Sequence, residues 1–170
     1  MAIRKIVILG EDDVLRKHSR PVEVFDKRLH SLLSDMAETM YAADGVGLAA
    51  PQVGVLKRCV VIDIGDGLLE LVNPEIVESS GSEVRVEGCL SIPRRRCTVE
   101  RPTHVVVRAQ DRKGRPIEIV ADNFLAQAVC HEVDHLDGIV YTDKMIEDVT
   151  EQYEREQAEL AEKKRKGRAK

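Results

Sequence analysis

His131-Glu132-Val133-Asp134-His135 is the stretch around which the rest of this chain is organised. Residues four apart on an α-helix lie on one face, because 3.6 residues complete a turn. Two imidazoles on that face can bind one metal ion, and Glu132 beside them can take a proton from water and pass it to a leaving group. This H-E-x-x-H pattern is typical of metal-dependent hydrolases, although the same residues also occur on the solvent-exposed face of ordinary amphipathic helices.

The flanking residues predict that this helix is buried. Asp122 and Asn123 are typical N-cap residues, and Gly138 stands where the helix should end. One apolar stripe runs between these ends and contains Phe124, Ala128, His131 and His135. A single histidine on such a stripe is usually a packed core residue. A pair of histidines with a glutamate between them favours a metal site.

The composition indicates a single globular domain with an aliphatic core. Of 170 residues, 43% are hydrophobic and none is Trp, so Val, Ile, Leu and Ala must fill the interior. The net charge of −4 gives no overall attraction to nucleic acid or to an anionic membrane. No run approaches the roughly 18 apolar residues of a membrane helix, and the apolar residues 6–9 are too few for a signal peptide. We therefore expect a cytoplasmic protein that binds neither a membrane nor a specific nucleic-acid sequence.

The four cysteines predict buried thiols and, at one position, a metal ligand. No C-x-x-C pair occurs among the four, which are Cys59, Cys89, Cys97 and Cys130. Without a secretion signal, a disulfide framework is the weaker interpretation.

The remaining pattern predicts an α+β fold in which short antiparallel sheets wrap around the central motif helix, with one N-terminal and one C-terminal helix. Helical spacing predicts a helix over residues 26–43 and a charged helix over residues 147–164, followed by a basic tail to Lys170. Residues 6–9 form a short strand or an extended arm. Asn73-Pro74 is expected to begin a turn, and Lys113-Gly114 to close a hairpin. The predicted strands are residues 58–64, 68–72, 76–78, 83–86, a segment around Val99, 105–107 and 117–119.

The glycine-rich residues 45–54 do not form a phosphate-binding loop. Such a loop follows a strand and precedes a helix, and here the order is reversed. The glycines instead allow the backbone to approach another group closely. Gln52 in this segment either caps a turn or donates a hydrogen bond to a substrate oxygen.

A catalytic metal site usually has three protein ligands and one open position, so a third ligand is needed. Tyr141 stands where one zinc-protease pattern has its third histidine. Glu151 and Glu154 follow at plausible distances on a charged helix. Cys89 would supply a thiolate, and Gly88 before it allows close approach. The spacing does not choose between Cys89, another cysteine and a glutamate.

Three segments resemble the signature motifs of the peptide deformylases, in the family's order and at its approximate spacing. They are Gly45-Val46-Gly47-Leu48-Ala49-Ala50-Pro51-Gln52, Glu87-Gly88-Cys89-Leu90-Ser91 and His131-Glu132-Val133-Asp134-His135. The resemblance covers about residues 3–150. It implies that residues 1–150 form one catalytic domain that removes the formyl group from the N-terminal methionine of nascent polypeptides. Residues 151–170 would form a charged helix with a basic tail.

The resemblance also implies a metal centre. Cys89, His131 and His135 match the family's ligands for one divalent ion per chain. That ion is usually Fe²⁺ in this family, and Zn²⁺, Ni²⁺ or Co²⁺ would also suit these ligands.

The resemblance assigns the chemistry to three further groups. Glu132 matches the general acid/base, while the side chain of Gln52 and the backbone N–H of Leu90 match donors to the formyl oxygen. A metal-bound hydroxide would attack the formyl carbon, and fixed donors stabilise the developing negative charge by roughly 3 kcal/mol each.

The implied substrate contacts lie around these groups. Val46, Phe124 and Ala128 match positions that line a methionine pocket, although each could also be plain core. Gly47 matches a residue whose backbone pairs with the peptide. Arg96 lies close to the family's peptide-contacting arginine, within a run of three arginines.

Residues next to the expected metal ligands are also assigned roles, as an ion pair and as a packing residue. Glu87 and Arg101 are expected to pair and hold the Cys89 loop. Cys130 stands where many members have Gln, and we interpret it as a packing residue.

Two other functions remain as alternatives. One is a zinc endopeptidase with Glu151 or Glu154 as third ligand, and the other is a protein that only binds metal. The basic tail is usually a solvated end in such chains, and a contact with the ribosome is the alternative.

Overall fold

The computed structural model describes residues 2–168, so Ala169 and Lys170 of the predicted tail lie outside the described residues. The helices are Lys27–Ala42 (α1), Asn123–Leu136 (α2) and Thr150–Arg168 (α3). The strands are Gly47–Ala49 (β1), Cys59–Ile62 (β2), Leu69–Ser80 (β3), Glu83–Cys89 (β4), Ile92–Arg101 (β5), His104–Gln110 (β6), Pro116–Asp122 (β7) and Met145–Asp148 (β8). Short 3-10 helices span Asp13–Arg16, Ala50–Val53 and Tyr141–Lys144.

Two antiparallel sheets surround α2. The larger sheet has the order β1-β2-β3-β6-β7 and the smaller has the order β4-β5-β8. Helix α2 packs against β1, β2, β6 and β7 of the larger sheet and against β5 of the smaller one. This arrangement confirms the predicted α+β class, with its N-terminal and C-terminal helices.

The centre of the larger sheet is covered on both faces. Successive side chains of a strand point to opposite faces. In β2, Val60 and Ile62 therefore join the core under α2, whereas Cys59 and Val61 join the core under α1. Burial on both faces explains why this strand is a continuous apolar run rather than an alternating one.

The ends of α2 are held by the segments around it. Asp122 occupies the N-cap position, but its side chain bonds His104 Nδ1 at 2.7 Å instead of the helix. At the other end, the Ser19 N–H donates to the Leu136 carbonyl at 2.8 Å. Gly138 has φ 74°, and a Cβ there would lie 2.6 Å from the Arg16 carbonyl oxygen. The predicted helix end therefore requires glycine both for backbone conformation and for space.

The turn expected at Asn73-Pro74 is wrong, because β3 continues through both residues. Asn73 adopts φ 51°, and the register of β3 against β6 shifts between Val72 and Glu75. The Asn73 side chain accepts from the Val22 N–H at 2.7 Å and donates to the Val22 carbonyl at 2.9 Å. A bulge thus accommodates a proline that cannot donate a ladder hydrogen bond.

Two further boundaries differ from the sequence-based expectation. Helix α3 begins at Thr150 rather than at residue 147, because Glu147 belongs to β8 and pairs with Thr98. Residues 6–9 form an extended arm, the second of the two predicted forms, and are outside both sheets. Among residues 2–168, no helix has the length and apolar character needed to cross a membrane.

Candidate active site

A cavity of about 580 Å³ opens where the glycine-rich segment, the turn between β4 and β5, and α2 meet. Ten of the predicted site residues line it, and only His135 lies behind its wall. The ten are Val46, Gly47, Gln52, Cys89, Leu90, Arg96, Phe124, Ala128, His131 and Glu132.

Cys89, His131 and His135 form a compact group of potential metal ligands. Their donor atoms lie within 4.8 Å of one another, and Cys89 Sγ is 3.3 Å from His135 Nε2. Burial holds the pKa of His135 well below its usual range, which favours the neutral imidazole that a metal requires. A thiolate with two imidazoles suits a divalent transition metal, and the residues present fit such an ion.

Glu87 orients the first of these histidines. Its Oε2 lies 2.8 Å from His131 Nδ1, which leaves Nε2 of His131 for an ion. The expected pairing with Arg101 is present, with Arg101 Nε 2.7 Å from Glu87 Oε1. Burial alone would raise the pKa of Glu87, but hydrogen bonds from His131 and Arg101 lower it to about 2. The carboxylate is therefore ionised, and both of its oxygens are occupied.

Glu132 is the free carboxylate of the site. The residue is only 4% exposed, and its Oε2 has no hydrogen-bond partner among residues 2–168. Burial raises the pKa of Glu132 to about 7, where the group can both accept and release a proton. Gly47 packs directly on this side chain, because a Cβ at residue 47 would lie 2.8 Å from Glu132 Cδ. The close approach of the Glu132 side chain thus explains why residue 47 is a glycine.

Gln52 caps a turn, the first of the two roles that the sequence left open. Its Oε1 accepts from the Ala49 N–H at 2.9 Å and so closes a tight turn. This bond orients the amide so that Nε2 faces the Cys89 turn, 3.4 Å from Cys89 Sγ and 3.2 Å from Ser91 Oγ. Leu90 lies in that turn, between Cys89 and Ser91.

The predicted substrate residues surround the cavity mouth. Val46 and Phe124 are 41% and 45% exposed, which argues against a plain core role, whereas Ala128 is buried. Arg96 lies against Gly88, where a Cβ would be 2.7 Å from its Cζ. A close approach is therefore present at Gly88, as expected, and the group that approaches is the guanidinium of Arg96.

Two contributors to this region are not predicted by the sequence. Tyr153 of α3 lines the cavity, and the Arg96 Cζ lies 5.2 Å from the centre of its ring. The second is the contact between Glu87 and His131. For Tyr153, the one signal in the sequence is an aromatic residue near the start of a charged helix. For the contact between Glu87 and His131, the local sequence pattern contains no signal.

The other candidate ligands lie elsewhere. Glu151 and Glu154 are exposed on α3. Tyr141 is buried, and its hydroxyl donates to the Arg95 carbonyl at 2.9 Å while its ring packs beside His131. Cys130 packs in the core under α2, as expected, and burial raises its pKa to about 11.

Comparison with known proteins agrees with this arrangement. A model of the polypeptide deformylase family matches residues 3–151. The peptide deformylase of Caldicellulosiruptor bescii is 61% identical over 152 residues, which cover 89% of this chain and 91% of the relative. The crystal structure of a peptide deformylase from Legionella pneumophila has a TM-score of 0.82 at 45% identity and covers 99% of both chains. That of the Thermotoga maritima enzyme has a TM-score of 0.84 at 40% identity and covers 86% of this chain and 100% of the other. Because these matches extend over most of the sequence and of the fold, the chain belongs to the peptide deformylases, a family of metal-dependent enzymes.

Proposed function

We propose that this chain removes the N-formyl group from the formyl-methionine of nascent polypeptides in the cytoplasm and releases formate. The observation that carries the proposal is that Cys89 and His131 meet Glu132 and Gln52 at one cavity, with His135 grouped directly behind them, in a member of this family.

Cys89, His131 and His135 would hold one divalent ion, which we propose to be Fe²⁺, with Zn²⁺, Ni²⁺ or Co²⁺ as substitutes. A bound ion of this kind lowers the pKa of water and polarises a carbonyl group. The Glu87 carboxylate fixes the orientation of His131 through Nδ1. Residues that orient a ligand in this way typically contribute 10–100-fold to metal affinity or activity.

Glu132 is the proposed proton carrier. Its unpartnered Oε2 can accept a proton from the attacking water and deliver it to the nitrogen of the departing amine. Burial raises the pKa of this carboxyl group to about 7. This value suits both proton transfers at neutral pH.

Two donors are proposed for the formyl oxygen, on which negative charge develops. Gln52 Nε2 is held in place by the bond between its Oε1 and the Ala49 N–H, and the Leu90 N–H lies in the adjacent turn. Donors that need no reorganisation stabilise such charge best.

The methionine side chain would lie between Val46, Phe124 and Ala128, which present apolar surface at the cavity. The backbone of Gly47 would pair with the peptide, and Arg96 would contact it further along the chain. These assignments rest on the position of the residues around the cavity.

Formate release tests the proposal. Protein prepared without oxygen and loaded with Fe²⁺ is mixed with formyl-Met-Ala-Ser, and its metal content is measured in the same sample. We expect rapid release with about one ion per chain and loss of activity in air. A loaded protein that cuts internal peptide bonds instead would support the endopeptidase, and one that does neither would leave metal binding alone.

A contact between the basic tail and the ribosome is a separate proposal. Lys163, Lys164 and Lys166 are exposed near the end of α3, and the proposed substrate emerges at the ribosome. We expect co-sedimentation of the full chain with ribosomes at low salt, and its loss in a chain that ends at residue 162. Equal sedimentation of both chains would contradict the contact.

A further inference from the structure

The N-terminal arm, residues 2–9, touches both loops that carry the proposed oxygen-binding donors. The Val7 N–H donates to the Gln52 carbonyl at 2.8 Å, and the Leu9 N–H donates to the Ser91 carbonyl at 2.9 Å. The same two residues are joined by their side chains, because Gln52 Nε2 donates to Ser91 Oγ. The arm and this side-chain bond therefore connect the two loops twice.

The start of the arm is fixed to a different part of the molecule. The Ala2 N–H donates to Asp35 Oδ1 at 2.8 Å, and Arg4 Nε donates to Asp35 Oδ2 at 3.0 Å. The Arg4 N–H donates to Thr39 Oγ1 at 2.9 Å. Asp35 and Thr39 are buried residues of α1, so the arm runs between a rigid helix and the active-site loops.

The position of the Gln52 amide depends on these contacts. Its Oε1 is bound to the backbone of Ala49, one residue before the 3-10 helix Ala50–Val53, and its carbonyl is bound by the arm. A displacement of this segment would move Nε2 relative to Cys89 Sγ, which is now 3.4 Å away. Misplacement of a catalytic group by about 1 Å can cost roughly 100-fold in rate.

We propose that the arm is a positioning element of the deformylase site: by binding the Gln52 and Ser91 carbonyls, it sets where the Gln52 amide meets the formyl oxygen. This inference rests on the proposed function. It assigns no chemistry to the arm, whose residues act only through Gln52 and the Leu90 turn.

Proline substitutions test the two backbone bonds, because proline has no N–H and is tolerated in extended segments. Val7→Pro and Leu9→Pro each remove one donor, and Ile8→Pro is the matched control, since the Ile8 N–H binds neither loop. We expect kcat for formyl-Met-Ala-Ser to fall roughly tenfold to 100-fold in the first two variants, with KM within about twofold. Ile8→Pro should retain wild-type kcat.

A double-mutant cycle separates positioning from general loss of structure. If the arm acts through Gln52, Val7→Pro should have little further effect on kcat in a Gln52→Ala background. An equal fold-loss in both backgrounds would overturn the inference, as would a kcat for Val7→Pro within twofold of that for Ile8→Pro.

A milder variant covers the case in which the proline variants do not fold. Arg4→Ala removes the side-chain contacts with Asp35, and Lys5→Ala is its control, because the one ion pair of Lys5 within the described residues is a 3.7 Å surface contact with Glu11. We expect faster amide hydrogen exchange in residues 50–53 and 89–92, with a several-fold lower kcat, in Arg4→Ala alone. Unchanged exchange and kcat would refute the arm's role. Failure of the wild-type protein to release formate would instead refute the proposed function.

Discussion

Glu132→Gln is the substitution that most directly tests the proposed chemistry. General acid–base catalysis is worth roughly 10²–10⁴-fold, or about 2.7–5.5 kcal/mol of transition-state free energy. We expect a loss near the upper end of this range, because Glu87 has both oxygens bound by His131 and Arg101 and cannot replace the missing base. The residue is also only 4% exposed, which limits rescue by bulk water.

The assay compares kcat/KM for formyl-Met-Ala-Ser in protein loaded without oxygen, with metal measured in every sample. Glu132→Gln should keep about one ion per chain, because Glu132 is not among the three grouped ligands. Glu118→Gln is the control, since this exposed carboxylate pairs with Arg108 at the surface, away from the cavity. A fully loaded Glu132→Gln variant that retains more than a tenth of the wild-type activity would refute the assigned role.

Three further outcomes are expected. Cys89→Ala should lose its metal on dialysis while Glu151→Ala keeps it; the reverse would favour the endopeptidase. Tyr153→Ala should raise KM several-fold with little change in kcat, and Tyr153→Phe should not, because the ring face that contacts Arg96 remains. Burial alone would raise the pKa of Asp35, but hydrogen bonds from the arm lower it. A carboxyl group whose pKa is lower in the folded state stabilises the protein at pH values above its unfolded-state pKa of about 3.9. This stabilisation is lost as the pH falls through the folded-state pKa. Asp35→Asn should therefore reduce the free energy of unfolding in urea at pH 7 and less so at pH 3, and an equal reduction at both would contradict this.

The motif helix could be predicted because its signals are local. Helical spacing, a capping residue and a terminal glycine placed α2 within a residue of its observed ends. The three motifs also identified the residues that the fold brings to one cavity. Their assignment as ligands and donors came from the family resemblance, since spacing left a glutamate or another cysteine open as third ligand.

What could not be predicted depends on pairing between distant segments. Glu87 and His131 are 44 residues apart, and only the docking of α2 against the smaller sheet brings them into contact. The sequence does not distinguish the bulge at Asn73 from a turn, because Asn-Pro is compatible with both and the difference lies in the partner strand. The bonds made by Val7 and Leu9 involve backbone N–H groups, which every residue except proline has, so no side-chain pattern could indicate them.

The ligand group also joins two structural halves of the protein. Cys89 ends a strand of the smaller sheet, whereas His135, 46 residues later, belongs to the helix packed on the larger sheet. An ion held by both would cross-link the sheets and stabilise the folded state by about 4 kcal/mol at a free concentration 1,000 times its Kd. We therefore expect the cellular lifetime of this protein to depend on metal supply. Chains that lose their ion would unfold more often and would be the first that proteases degrade.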